Sequence, residues 1–76
     1  MIKELDQIVI NKDYKEYGIE KGDVGTVVHI YKDFQGFEIE FVSGTDRTFG
    51  VYTIKGEDVR SMKQSEILHI RELHTA

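Results

Sequence analysis

The sequence predicts an all-β domain of five short strands with a C-terminal extension, and three observations predict it. Short runs of β-branched and aromatic residues recur along most of the chain, separated by clusters of Gly, Asp and Asn. Helical periodicity is almost absent before residue 60. The 76-residue length admits a single domain with a thin core, since about 60% of the unfolded chain's surface is buried at this size.

The first strand is Gln7-Ile8-Val9-Ile10, closed by Asn11-Lys12-Asp13, whose short polar side chains compete for backbone hydrogen bonds and favour a turn. Tyr14 to Ile19 follows as an ordered loop or a single helical turn ending at Gly18, the residue type that accepts a left-handed backbone. Lys21-Gly22-Asp23 leads through Gly25 into Thr26-Val27-Val28-His29-Ile30-Tyr31, the most β-prone run of the protein. Apolar residues on both of its faces predict a central strand.

Lys32 to Gly36 reads as a Gly-containing hairpin connection. In the next strand Phe37, Ile39 and Phe41 share one face and Glu38 and Glu40 the other, because successive side chains of a strand project oppositely. The apolar set faces the core. Ser43-Gly44-Thr45-Asp46 is a second hairpin, and Arg47 to Ile54 a fourth strand in which Gly50 marks a bulge or a close backbone approach. Lys55-Gly56-Glu57-Asp58 reads as one turn, of 3₁₀ type, into a short fifth strand at Val59-Arg60-Ser61.

A strand, a long loop, a three-strand meander, a single turn and a short strand is the order of an SH3-like barrel, a small sheet that removes its edges by closing on itself. The barrel is expected over residues 1–61, and 62–76 form a tail. Within the tail, Ile67 to Arg71 reads as an extra strand, although Ile67, Ile70 and Leu73 also fall near a helical stripe, which leaves a short helix as the alternative. Both readings bury Ile70.

Composition narrows the chemistry. The absence of Cys removes disulfides, thiolate nucleophiles and Cys-ligated metals, and it suits a reducing compartment. Lys3, Glu4 and Asp6 interrupt any apolar leader, so the expected location is cytoplasmic. Ten basic residues against fourteen acidic ones give a formal charge of -4, which disfavours generic binding to phosphate backbones and favours a cationic partner.

The stretches Leu5-Asp6-Gln7-Ile8-Val9, Tyr17-Gly18-Ile19-Glu20-Lys21-Gly22-Asp23-Val24-Gly25-Thr26-Val27-Val28-His29-Ile30-Tyr31, Phe37 to Val42, Val51-Tyr52-Thr53 and Asp58-Val59-Arg60 together resemble the bacterial domain-of-unknown-function family numbered 4926. The likeness covers most of residues 3–61. It implies a compact SH3-like barrel, similar in shape to the β-subunit domain of nitrile hydratase and to small barrels of ribosomal and transcription-elongation proteins, without an assigned activity. It also implies a place beside small toxin-like genes and hence an immunity or antitoxin role. Where members commonly carry Pro after the final Val-Arg, this chain has Ser61-Met62.

No catalytic constellation stands out. Gly22-Asp23-Val24-Gly25-Thr26 opens a strand, not a helix, and lacks the Lys-Ser/Thr of a phosphate-cradling loop. His29, His69 and His74 have no metal-ligand spacing; His29 reads as a half-buried packing residue and His69 as solvated. Ser43, Ser61 and Ser65 lack the strand–turn–helix elbow of a nucleophile. The expectation is a non-enzymatic protein without cofactor or metal.

Binding is better supported. Tyr14, Tyr17, Tyr31, Phe34 and Tyr52 are more aromatics than a thin core absorbs, and such residues favour interfaces. The expected partner is a basic protein, a toxin domain of nuclease type, bound through Asp33, Phe34, Glu38, Glu40, Asp46 and Tyr52. One alternative is a nucleic-acid-binding barrel using Lys12, Lys15, Lys21 and Lys32 with Tyr14, Tyr17 and Tyr31; another is an accessory subunit of an enzyme.

Overall fold

The structure, a computed structural model, describes residues 2–44 and 48–72. Its strands are β1 (Gln7–Ile10), β2 (Val24–Ile30), β3 (Gly36–Val42), β4 (Thr48–Lys55) and β5 (Val59–Ser61). They form one antiparallel sheet in the order β4-β3-β2-β1-β5. The three-strand meander is as the sequence predicts, and the last strand returns to pair with the first. Short 3₁₀ turns occupy Lys15–Tyr17, Lys32–Phe34 and Gly56–Asp58. Gly18 ends the first of them at φ 73°, the left-handed conformation that its lack of a Cβ permits.

The period-two pattern of β3 dictates which side of the sheet faces the core. Phe37, Ile39 and Phe41 are buried, and they meet Ile8, Ile10, Ile19, Val27, Ile54 and Val59 in one apolar cluster. Each such side chain contributes about 1.5–3 kcal/mol by leaving water. Gly25 lies inside β2 because nothing larger fits: a Cβ there would collide with Ile39 Cγ2 and stand 3.0 Å from Phe41 Cε1.

Two bulges shape the meander. Phe41 pairs with Gly50 but Val42 with Thr48, so Phe49 is the extra residue beside the glycine that marked this irregularity. The second lies in β2, where Val27 pairs with Ile39 and His29 with Glu38, leaving Val28 over. One inserted residue reverses the facing of all that follows. His29 is therefore exposed, where the sequence suggested a half-buried packing residue.

The tail departs from both expectations. Residues 67–71 form neither a strand nor a helix, and Ile70 is 92% exposed. Ion pairs explain the inversion. Arg60 holds Glu66 by two bonds of 2.7 and 2.5 Å, and Arg71 is drawn to Asp23, so the charged residues turn toward the barrel and Ile67 and Ile70 turn outward. Leu73 and His74 lie outside the described residues, as does part of the second hairpin.

Candidate functional site

The outer face of the β2–β3–β4 meander is built by alternation. Burial of Phe37, Ile39 and Phe41 forces Glu38 and Glu40 to the opposite side, about 7 Å apart along the strand. Register places His29 and Thr53 on either side of Glu38, and Thr26 and Val51 on either side of Glu40. The carboxylates are held rather than free. The Tyr31 hydroxyl donates to Glu38 Oε1, and the Thr53 hydroxyl approaches the same oxygen at 3.4 Å. Thr48 Oγ1 donates to Glu40 Oε2 at 2.9 Å. Both acids thereby reach residues of β4. The bond to Glu38, with some burial, holds the Tyr31 phenol above its ordinary pKa. Exposed Val28, Val42 and Val51 lie along the same strands and exposed Tyr31 just beyond β2, which gives the meander acidic and apolar surface together.

The other predicted partner residues fall elsewhere. Asp33 and Phe34 occupy the hairpin tip, both with positive φ (58° and 57°), and Phe34 stays 44% exposed with its ring 6.3 Å from that of Phe37. Gly56 permits this turn, since a Cβ on it would strike the Phe34 carbonyl oxygen. Tyr52 is paired with Ile39 and so shares the inner side, where its ring stacks 4.4 Å from Tyr17. Tyr14 stacks on Tyr17 in turn at 5.8 Å, so Tyr17 is in ring contact with both. Asp46 lies outside the described residues. The expected set therefore resolves into an acidic face, a hairpin tip and a ring stack at the barrel end.

Two constellations were missed by sequence reasoning. In the first, the Tyr14 hydroxyl donates to Asp58 Oδ2 at 2.5 Å and accepts the Lys55 N–H at 3.2 Å. Burial first, and then the Asp58 carboxylate, raise the phenol's pKa. In the second, Arg71 Nε and Nη2 donate to the two Asp23 oxygens at 2.9 and 2.7 Å while Nη2 also donates to Gly18 O at 2.7 Å. Burial alone would raise the Asp23 carboxyl, but the bonds from Arg71 and from the Glu20 N–H outweigh it and lower the pKa. His69, which the sequence suggested was solvated, sits 3.4 Å from Asp23 with its side chain 41% exposed. Here Leu68 to Arg71 wall an open groove of about 430 Å³ against Gly25, Phe41 and Phe49. No local signal marks either constellation, because each joins distant parts of the chain.

Among the described residues, no three His, Cys, Asp or Glu side chains cluster as a metal centre requires, and no helix is long and apolar enough to cross a membrane. Neither a curated protein nor a solved structure matches the chain. Residues 4–61, which span all five strands and end with β5, match the family described as Domain of unknown function (DUF4926). On that match the chain belongs to the family Domain of unknown function (DUF4926).

Proposed function

We propose that this domain is a non-catalytic, cytoplasmic protein-binding module whose outer meander face takes a basic protein partner. The observation that carries the reading is the pair Glu38 and Glu40, held side by side and tilted over β4, with exposed Val28 and Val51 on the neighbouring strands. Carboxylates attract cationic groups and steer their approach, while the valines accept the alkyl stems of lysine or arginine. The net charge of -4 acts in the same direction. A nuclease-like toxin domain, basic where it grips nucleic acid, is the partner that the family resemblance suggests, and the role is then that of an immunity protein or antitoxin. The nucleic-acid alternative is weakened by the Tyr14–Tyr17–Tyr52 cluster, in which the rings stack on one another rather than standing apart to receive bases.

The test is co-precipitation from native lysate, followed by surface plasmon resonance of the recovered partner against wild type and a Glu38→Lys, Glu40→Lys double variant. The expected partner is basic, the reversal slows association and weakens affinity at least 100-fold, and circular dichroism shows a folded variant. Unchanged affinity in the folded variant would move the interface away from this face. Micromolar binding of RNA or DNA at about 150 mM salt would replace the protein partner with a nucleic acid.

A further inference from the structure

β4 is the last strand at one side of the sheet, and its pairing leaves one row of backbone groups unused. The Lys55 N–H points away from β3, because it donates to the Tyr14 hydroxyl, and the Gly36 carbonyl opposite it turns to Tyr31 of the β2 side. Along an antiparallel strand such groups alternate, so Thr53 and Val51 direct their N–H and C=O the same way, off the sheet. Tyr14 covers this row at Lys55. At Thr53 and Val51 the outward N–H groups have no partner among the described residues. An unpaired row on an edge strand is a template for another strand.

The side chains beside that row are equally specific. Thr53 and Val51 are exposed on the outer face, in register with Glu38 and Glu40. A strand added beyond β4 would stand two strand spacings from β3, about 9–10 Å. That distance is spanned by a lysine or arginine extending one way and a glutamate the other. Both carboxylates already lean toward it, through Thr53 and Thr48. The alternation of an extended segment then matches the alternation of the acids: residues two apart present basic groups about 7 Å apart, the spacing of Glu38 and Glu40.

We propose that the outer edge of β4 at Val51 and Thr53 docks an extended, lysine- or arginine-bearing segment of the partner protein as an additional strand, its basic side chains passing over Val51 and Thr53 to Glu38 and Glu40. This rests on the acidic-face reading and adds to it the mode of binding, strand addition, in which main-chain bonds supply affinity and the alternate side chains supply selection.

The probe is an acetylated and amidated peptide, Thr-Lys-Val-Lys-Val-Lys-Thr, titrated into the ¹⁵N-labelled protein. A second peptide of the same sequence, N-methylated at every residue, has no backbone N–H on either edge, cannot complete a strand ladder and keeps every charge. Expected are micromolar to sub-millimolar binding of the first peptide, shifts and exchange protection centred on the Val51 and Thr53 amides, and at least tenfold weaker binding of the second. Val51→Pro removes an edge N–H that β3 does not use, so it should fold and lose the first peptide by the same factor. Glu38→Gln with Glu40→Gln should also weaken binding. If both peptides bind alike, or bind the wild type and not the glutamine variant while Val51→Pro is unaffected, strand addition is overturned and the acidic face alone remains. The two-peptide comparison uses the wild type, so it holds even if the proline variant fails to fold. Absence of binding by the first peptide also overturns strand addition, leaving the acidic face to be judged by the partner captured from lysate. Val51 and Thr53 amides already protected in a peptide-free dimer, seen by sedimentation, would assign the edge to a second copy and overturn the basic segment.

Discussion

Asp23 and Arg71 lie 48 positions apart and meet through two hydrogen bonds, the carboxylate 12% and the guanidinium 16% exposed. Asp23 also accepts the Glu20 N–H at 2.8 Å, so one side chain fixes the loop before β2 and anchors the tail that follows β5.

Arg71→Met should detach the tail and leave Asp23 with fewer donors in a partly buried place. Stability should fall by about 1–2 kcal/mol, less than a fully buried pair would lose because the freed segment regains conformational entropy. Urea unfolding measures the loss, and amide exchange should accelerate at residues 66–72 while β1–β3 stay protected. Unaltered exchange in the tail would mean that Arg71 does not hold it.

Acid should produce the same release. The bonds from Arg60 pull the Glu66 carboxyl from its ordinary 4.5 to about 2, and Asp23 is likewise lowered. A carboxyl with a depressed folded pKa stabilises fully above its unfolded value and loses that contribution as pH falls through the folded value. The tail contacts should therefore be intact above about pH 5 and weaken between 4.5 and 2. Methyl shifts of Ile67 and Ile70 followed across that range test this. A flat profile to pH 2 would contradict both pairings.

Gly25→Ala should destabilise by about 1–3 kcal/mol through overpacking. The added methyl meets Ile39 Cγ2, Phe41 Cε1 at 3.0 Å and Glu40 O at 3.1 Å, and the last is backbone that yields little. Gly44→Ala, with nothing within 4 Å, is the control and should be near neutral. Equal melting temperatures for the two variants would refute the close approach of β2 to β3.

Tyr14→Phe removes the donor to Asp58, a carboxylate in a residue only 8% exposed, and the acceptor of the Lys55 N–H. Stranding a buried polar group costs about 1–3 kcal/mol. The loss should appear in chemical denaturation, and Asp58→Asn should recover little of it. A phenylalanine variant as stable as wild type would show that the hydroxyl is replaced by water.

How much was readable depends on where the controlling interaction lies. The β3 facing was legible because Phe37, Glu38, Ile39, Glu40 and Phe41 alternate without a break, and alternation is a local property of strand geometry. The bulge near Gly50 was legible because a glycine announces it. The bulge at Val28 carries no such residue, since Thr26-Val27-Val28-His29 reads as an unbroken strand, and the facing of His29 was lost with it. The tail failed for a different reason. Ile67, Leu68 and Ile70 promise burial, but Arg60 and Asp23 decide the outcome by holding Glu66 and Arg71 inward. In the site, the acidic pair was visible from spacing alone, whereas the separation of Tyr52 from it follows from register, which no short window contains.

The pairing of Ile8 with Ser61 has a kinetic consequence. Few residues separate β2 from β3 and β3 from β4, so those neighbours meet early, while β1 finds β5 only after most of the chain is in place. Contacts this remote in sequence slow folding, because the entropy of closing the intervening loop is lost before the contact forms. During synthesis β1 leaves the ribosome first and waits with one edge unsatisfied until Val59–Ser61 follows. For that interval the apolar run Ile8-Val9-Ile10 is open to wrong pairing, and a shortened chain ending before β5 would carry that hazard permanently.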